Sequence, residues 1–321
     1  MAYTTIDDPS AYFKVKTYTG NGTAIGSGGN AITFDDTDTD MQPDLVWIKN
    51  RSSTRQHELF DSVRGATKYI RSGANDAEQT DTESLTAFGS DGFTLGSQNS
   101  VNQNTYTFVA WCWKANGSGT ANTAGSINTT KTSANTTSGI SINTYSGTGS
   151  NATIGHGLGV APTVVLCKNM GSSGDWWNWN NFSISSLGNT GRIYFNSDGS
   201  NSAATQAWNS TAPTSTLVSL GTNGEVNGSS MILYAFAPIQ GFSKFGSYIG
   251  NGNANGTFVY TGFKPAMVII KRTDGTGGWY IYDNKRAGYN GSSGYLQADT
   301  TSLCVYGLGR STISQFKWST L

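Results

Sequence analysis

His57 and His156 are the only two imidazoles in the chain, so a hydrolytic triad or a histidine-ligated metal would have to start from one of them. Neither has a companion at ligand spacing, and no Gly-x-Ser-x-Gly elbow supplies a serine nucleophile. His57 precedes Glu58 and reads as half of a surface pair, not as a general base. With no Cys-x-x-Cys, no phosphate loop and no paired carboxylates in a recognisable frame, the sequence points to no hydrolase or transferase chemistry, no cofactor and no metal. Asp36-Thr37-Asp38-Thr39-Asp40 does place carboxylates at alternate positions, as the start of a calcium loop requires. However, the next position, which needs Gly, is Met41, and the twelfth is Trp47 in place of Glu. The stretch therefore reads as a solvated acidic loop.

Trp176, Trp177 and Trp179 carry the one pattern that speaks for a ligand, because sugar faces stack on exposed aromatic rings. In a strand, alternation is expected to set Trp177 against Trp176 and Trp179, which leaves at least one ring facing away from the core. The competing reading is a wide core together with an interface. Cys112, Cys167 and Cys304 are odd in number, far apart and flanked by aliphatic or aromatic residues, and read as buried thiols.

These residues must be positioned by short strands. Charged residues are only 12% of 321, whereas Gly, Asn, Ser and Thr abound, and nine Trp, fifteen Tyr and fourteen Phe need burial. That composition suits strands joined by turns and argues against both helices and disorder. Twenty basic and twenty acidic residues cancel, so there is no electrostatic footprint for nucleic acid. No apolar run reaches the length of a membrane span, and the start Met1-Ala2-Tyr3-Thr4 has no secretory pattern. The expectation is a soluble protein without membrane insertion.

Self-similarity is the strongest feature. Tyr18-x-Gly20-x-Gly22, Tyr145-x-Gly147-x-Gly149 and Tyr248-x-Gly250-x-Gly252 are each followed by a Pro, an apolar run and a Lys: Pro43 to Lys49, Pro162 to Lys168 and Pro265 to Lys271. Val46, Val165 and Val268 hold one place in the run, and Phe60, Trp179 and Tyr282 stand eleven residues past the Lys. These coincidences read as three copies of one unit. The six-residue runs are too short for helices and rich in β-branched residues, so they are expected as strands buried on both sides. Closing strands end the first two copies at Val109 to Trp111 and Leu233 to Phe236.

The fold expected is all-β, with tandem antiparallel β-sandwich modules of jelly-roll or concanavalin-like type. The first covers residues 1–117 and the second 139–240. Residues 118–138, almost without apolar anchors, read as a flexible linker. The third, 241–321, reads as incomplete at its closing strand, for which Phe316 and Trp318 are the candidates. An unfinished sheet edge is a template for another chain, so Phe316 and Trp318 mark the expected assembly strand.

Gln42-Pro43-Asp44-Leu45-Val46-Trp47-Ile48-Lys49-Asn50-Arg51, with Leu59-Phe60-Asp61-Ser62-Val63-Arg64-Gly65-Ala66, resembles a repeated domain of unknown function in marine phage virion proteins. Gly262 to Arg272 and Trp279 to Arg286 look like its companion module. The resemblance implies a structural protein on the virion exterior, assembled in the host cytoplasm: a tail fibre or adhesin subunit, or a protein decorating the head. Other virion proteins, further copies of the chain and a host surface glycan are the partners it implies, and it supplies no catalytic residues. The alternative is a carbohydrate-binding, lectin-like module of a surface or secreted protein.

Overall fold

A computed structural model describes residues 4–34, 39–182, 188–253, 255–286 and 294–303. The chain is all-β, and the described residues form five antiparallel sheets and two four-residue α-helices. The first segment contributes β1 (Phe13–Thr19), β2 (Asn30–Thr33), β3 (Leu45–Asn50), β4 (Glu58–Asp61), β5 (Lys68–Arg71), β6 (Gln79–Thr80), β7 (Leu85–Gly89), β8 (Gly92–Leu95), α1 (Asn99–Asn102) and β9 (Thr107–Trp113). These form a six-stranded sheet ordered β1-β9-β3-β4-β5-β6 and a small sheet β2-β8-β7.

Next come β10 (Lys131–Asn135), β11 (Ile140–Tyr145), β12 (Ala152–Gly155), β13 (Val164–Asn169), β14 (Trp177–Asn180), β15 (Gly191–Tyr194), β16 (Ser202–Ala203), β17 (Leu217–Leu220), α2 (Gly224–Asn227) and β18 (Met231–Phe236). Their large sheet runs β10-β11-β18-β13-β14-β15-β16, with β12-β17 as the small one. The third segment adds β19 (Met267–Lys271), β20 (Trp279–Asp283) and β21 (Leu296–Gln297), paired in that order.

All three Pro-to-Lys runs are strands, β3, β13 and β19, and each pairs with the next strand in one register. Val46 faces Phe60, Val165 faces Trp179 and Val268 faces Tyr282. β3 is buried at every residue, as expected, but β19 is only half-buried, with Ile269 exposed. The closing strands β9 and β18 end their segments in sequence yet lie inside the sheets. Each inserts between the Tyr-x-Gly strand and the Pro-to-Lys strand.

The Tyr-x-Gly-x-Gly pattern has a local cause. Tyr18 and Tyr145 donate their hydroxyls to the backbone oxygens of Val101 and Val226, in α1 and α2. A Cβ on Gly20 or Gly147 would strike the backbone near Asn102 or Asn227, so the first glycine permits this approach. The second, Gly22, Gly149 or Gly252, has φ near +66° (66°, 68° and 65°), where other residues are strained. Tyr248 itself lies on no strand.

Each large sheet of the first two segments is buried on both faces. One face packs on its small sheet: Val46, Ile48 and Phe60 meet Ile32, Phe93 and Leu95, while Val165, Cys167 and Trp179 meet Ile154, Val218 and Leu220. The opposite faces share a central core with the third segment, in which Trp47, Trp111, Trp176, Phe195, Tyr234, Trp279 and Ile281 are buried together. The first two segments therefore each have a core of their own and share a further one with the third.

Residues 118–138 are a correction. They are ordered, not a flexible linker: β10 extends the second sheet against β11, Thr120 bridges Thr132 and Ile127 bridges Ile154. Backbone pairing needs no apolar anchor, so a polar edge strand escapes a reading based on burial.

Candidate functional site

The polar residues that the sequence singled out are mostly structural. His57 is buried, not a surface residue, and so is Glu58. The His57 Nδ1 accepts from Trp47 Nε1 at 2.9 Å, and its ring stacks on Trp111. Burial, then the charges of Lys49 and Arg286, push its pKa well below that of ordinary histidine. His156 is buried too and lowered by desolvation, with Nδ1 accepting from the Leu158 amide at 3.2 Å. Cys112 and Cys167 are free buried thiols, and burial raises the second to about 12. Cys304, Phe316 and Trp318 lie outside the described residues, as do residues 35–38 of the acidic stretch. Among the described residues, no group of three or more His, Cys, Asp or Glu could hold a metal ion. No helix among them is long and apolar enough to cross a membrane.

Two buried ion pairs recur at one place. Arg64 Nε lies 2.5 Å from Asp61 Oδ2, and Arg286 Nε lies 2.6 Å from Asp283 Oδ2. Each carboxylate also binds a ring from another segment: Tyr234 donates to Asp61 at 2.7 Å and Trp111 Nε1 to Asp283 at 3.0 Å. The lysines that end the Pro-to-Lys strands follow the same cyclic logic. Lys49 reaches the Thr301 oxygen (3.3 Å), Lys168 that of Asn75 (3.3 Å) and Lys271 that of Asp198 (3.1 Å). Asn75, Asp198 and Thr301 each stand four residues past the end of β5, β15 and β21.

The three tryptophans separate. Trp176 lies in the central core and donates Nε1 to the Arg71 oxygen at 2.7 Å, a contact that Trp279 repeats on Tyr194 at 2.9 Å. Trp177 and Trp179 share the other face, toward the small sheet. Alternation thus groups Trp177 with Trp179, not against it. No ring is left facing solvent, because the sheet has a core on both sides: all three are at most 4% exposed.

Trp177 lines a recess. A cavity of about 470 Å³ is lined by Trp177, Arg192, Tyr194, Gln206, Asn223 and Glu225, with residues 203–205 at its rim. Trp177 donates Nε1 to Glu225 Oε2, which also accepts from the Asp175 amide at 3.2 Å. Glu225 is held in place by α2, whose first turn Asn223 caps. Trp177 and Tyr194 meet edge to face at 5.3 Å, and the Arg192 guanidinium lies over both rings, 4.5 and 4.0 Å from their centroids. Arg192 was not singled out in the sequence. Its signal is the run Arg192-Ile193-Tyr194-Phe195, in which Ile193 and Phe195 enter the central core and Arg192 and Tyr194 share the opposite face.

A second recess of about 500 Å³ joins the second and third segments, with Asp198, Tyr280, Gln297 and Asp299 in its wall. Burial raises the Asp299 pKa, and the carboxylate accepts from the Trp279 amide at 2.8 Å.

No curated protein and no solved structure matches the chain. One family model, described as a domain of unknown function (DUF7483), matches residues 8–307 as a single span across all three segments, and the chain belongs to that family.

Proposed function

We propose that the chain is a non-enzymatic structural protein on the exterior of a bacteriophage virion, either a tail fibre or adhesin subunit or a protein decorating the head. In this reading it is built from three copies of one sandwich-like module, of jelly-roll or concanavalin-like type, and assembles as a homo-oligomer with other virion proteins. The observation that carries it is the cyclic set of lysine contacts. Three lysines at one repeat position each hold the backbone of a different neighbouring segment. Two buried ion pairs, Asp61 with Arg64 and Asp283 with Arg286, likewise join segments, because each carboxylate accepts a hydrogen bond from a ring of another segment. Side chains engaged in this way favour a rigid scaffold over a reacting centre.

Immunogold labelling of purified particles with antibody against the chain tests the reading. Gold on the outside of tails or heads is expected; particles that never label would refute it. The second reading, a carbohydrate-binding module, is favoured by one observation, the cavity beside Trp177.

A further inference from the structure

We infer that the cavity beside Trp177 is a binding site for a neutral saccharide, held between Arg192 and Glu225. The inference goes beyond the virion reading and survives its failure, since it depends on the second segment alone.

Arg192 is the starting point. Its Nε and Nη1 atoms are buried and have no hydrogen-bond partner, although the side chain borders an open cavity. An occupant of the recess cannot reach those enclosed atoms, so the remaining nitrogen, Nη2, is the donor that Arg192 can offer to a ligand oxygen. The charge is stabilised by the Trp177 and Tyr194 rings in place of a salt bridge. In the first segment the two residue types are exchanged: Arg71 stands opposite Glu58 as Tyr194 stands opposite Trp177, and its guanidinium lies over the Tyr69 ring at 5.3 Å and pairs with Asp76 at 2.8 Å. There the guanidinium has a carboxylate partner in Asp76, although its Nε has no hydrogen-bond partner. In the second segment it faces a cavity.

The chemistry of the wall selects the ligand. Arg192 can only donate hydrogen bonds and an ionised Glu225 can only accept them, while Gln206, Asn223 and Thr205 do both. An anion would meet Glu225 and nearby Asp175, and a cation would meet Arg192. A hydroxyl accepts from one side and donates to the other, and neighbouring hydroxyls on one small ring do so several times over. The cavity volume of about 470 Å³ falls within the range of small-ligand sites, roughly 300–1,000 Å³.

The test prints the intact protein on an array of neutral, uronic-acid, sialylated and sulfated oligosaccharides. The best neutral binder is then titrated by tryptophan fluorescence. Binding to neutral saccharides is expected. It should weaken about tenfold in Arg192→Ala, as loss of one charge-assisted hydrogen bond implies, and by a smaller factor in Gln206→Ala, with near-UV circular dichroism unchanged in both. Should Arg192→Ala fail to fold, Arg192→Lys, which keeps the charge and loses the planar fork, and Gln206→Ala decide. No binding on the array, binding to acidic saccharides alone, or affinity unchanged in the folded variants would overturn the inference.

Discussion

Lys168 donates to the backbone oxygen of Asn75 at 3.3 Å, joining the second segment to the first across 93 residues. It also donates to the Asn169 oxygen at 2.9 Å and is fully buried by its surroundings. Lys168→Met keeps the apolar stem and removes the ammonium, leaving both carbonyls without that donor. A loss of about 1–3 kcal/mol is expected from urea unfolding. An unchanged midpoint would show that the contact between segments carries no stability.

The Asp61–Arg64 pair should matter far more than its exposed counterpart. Both side chains are at most 2% exposed, and Tyr234 adds a third partner. Asp61→Ala leaves the buried Arg64 guanidinium with Glu78, 3.4 Å away, as its remaining carboxylate and is expected to cost about 3 kcal/mol. Arg272 and Asp274 sit 2.8 Å apart but are 60% and 82% exposed, so Asp274→Ala should cost less than about 1 kcal/mol. Urea denaturation of the two variants, side by side, checks the contrast.

Glu58 makes stability depend on pH. Burial pushes its pKa up to about 8 from an ordinary 4.5, with Arg71 offsetting part of the rise. The folded state therefore keeps the proton that the unfolded chain releases. The associated stability is complete below pH 4.5 and is lost as pH rises through about 8. Glu58→Gln has no such proton to lose. Its stability relative to wild type should rise between pH 4 and pH 9 by more than about 1.4 kcal/mol, the equivalent of one pKa unit. A constant difference across that range would contradict the assignment.

Trypsin should leave the bond after Lys131 intact. That residue lies in β10, and its ammonium reaches the Val63 oxygen at 3.2 Å. Lys244 and Arg272 are exposed and lie outside strands, where cleavage needs little local opening. The first cuts are expected after these two, read by mass spectrometry of the fragments. Early cleavage at Lys131 would restore the flexible linker.

The strands were legible because their signals are local. Pro43, Val46, Lys49 and Phe60 recur with fixed spacing, and the structure gives Val46, Val165 and Val268 the same cross-strand relation to an aromatic ring. What the lysines touch was not legible, since any residue offers a backbone oxygen and Asn75, Asp198 and Thr301 share no side-chain type. The central core was hidden for a similar reason. Ser72, Phe195 and Ala298, each one residue past β5, β15 and β21, are all buried, yet one bulky ring and two small residues leave no pattern to detect. Trp176 and Trp177 were misread because a single core was assumed, whereas the sheet has one on each face. Arg192 passed unnoticed because an arginine beside an apolar residue in a strand is commonplace, and only the corner made by Trp177 and Tyr194 distinguishes it.

A cryo-electron microscopy reconstruction of the intact phage particle, with residues 4–303 fitted as one body, tests the central claim most directly. The virion reading expects exterior density on tail or head that accepts the three segments around their common core, in several copies related by the symmetry of the particle. Purified particles whose density and protein content both lack the chain would contradict it.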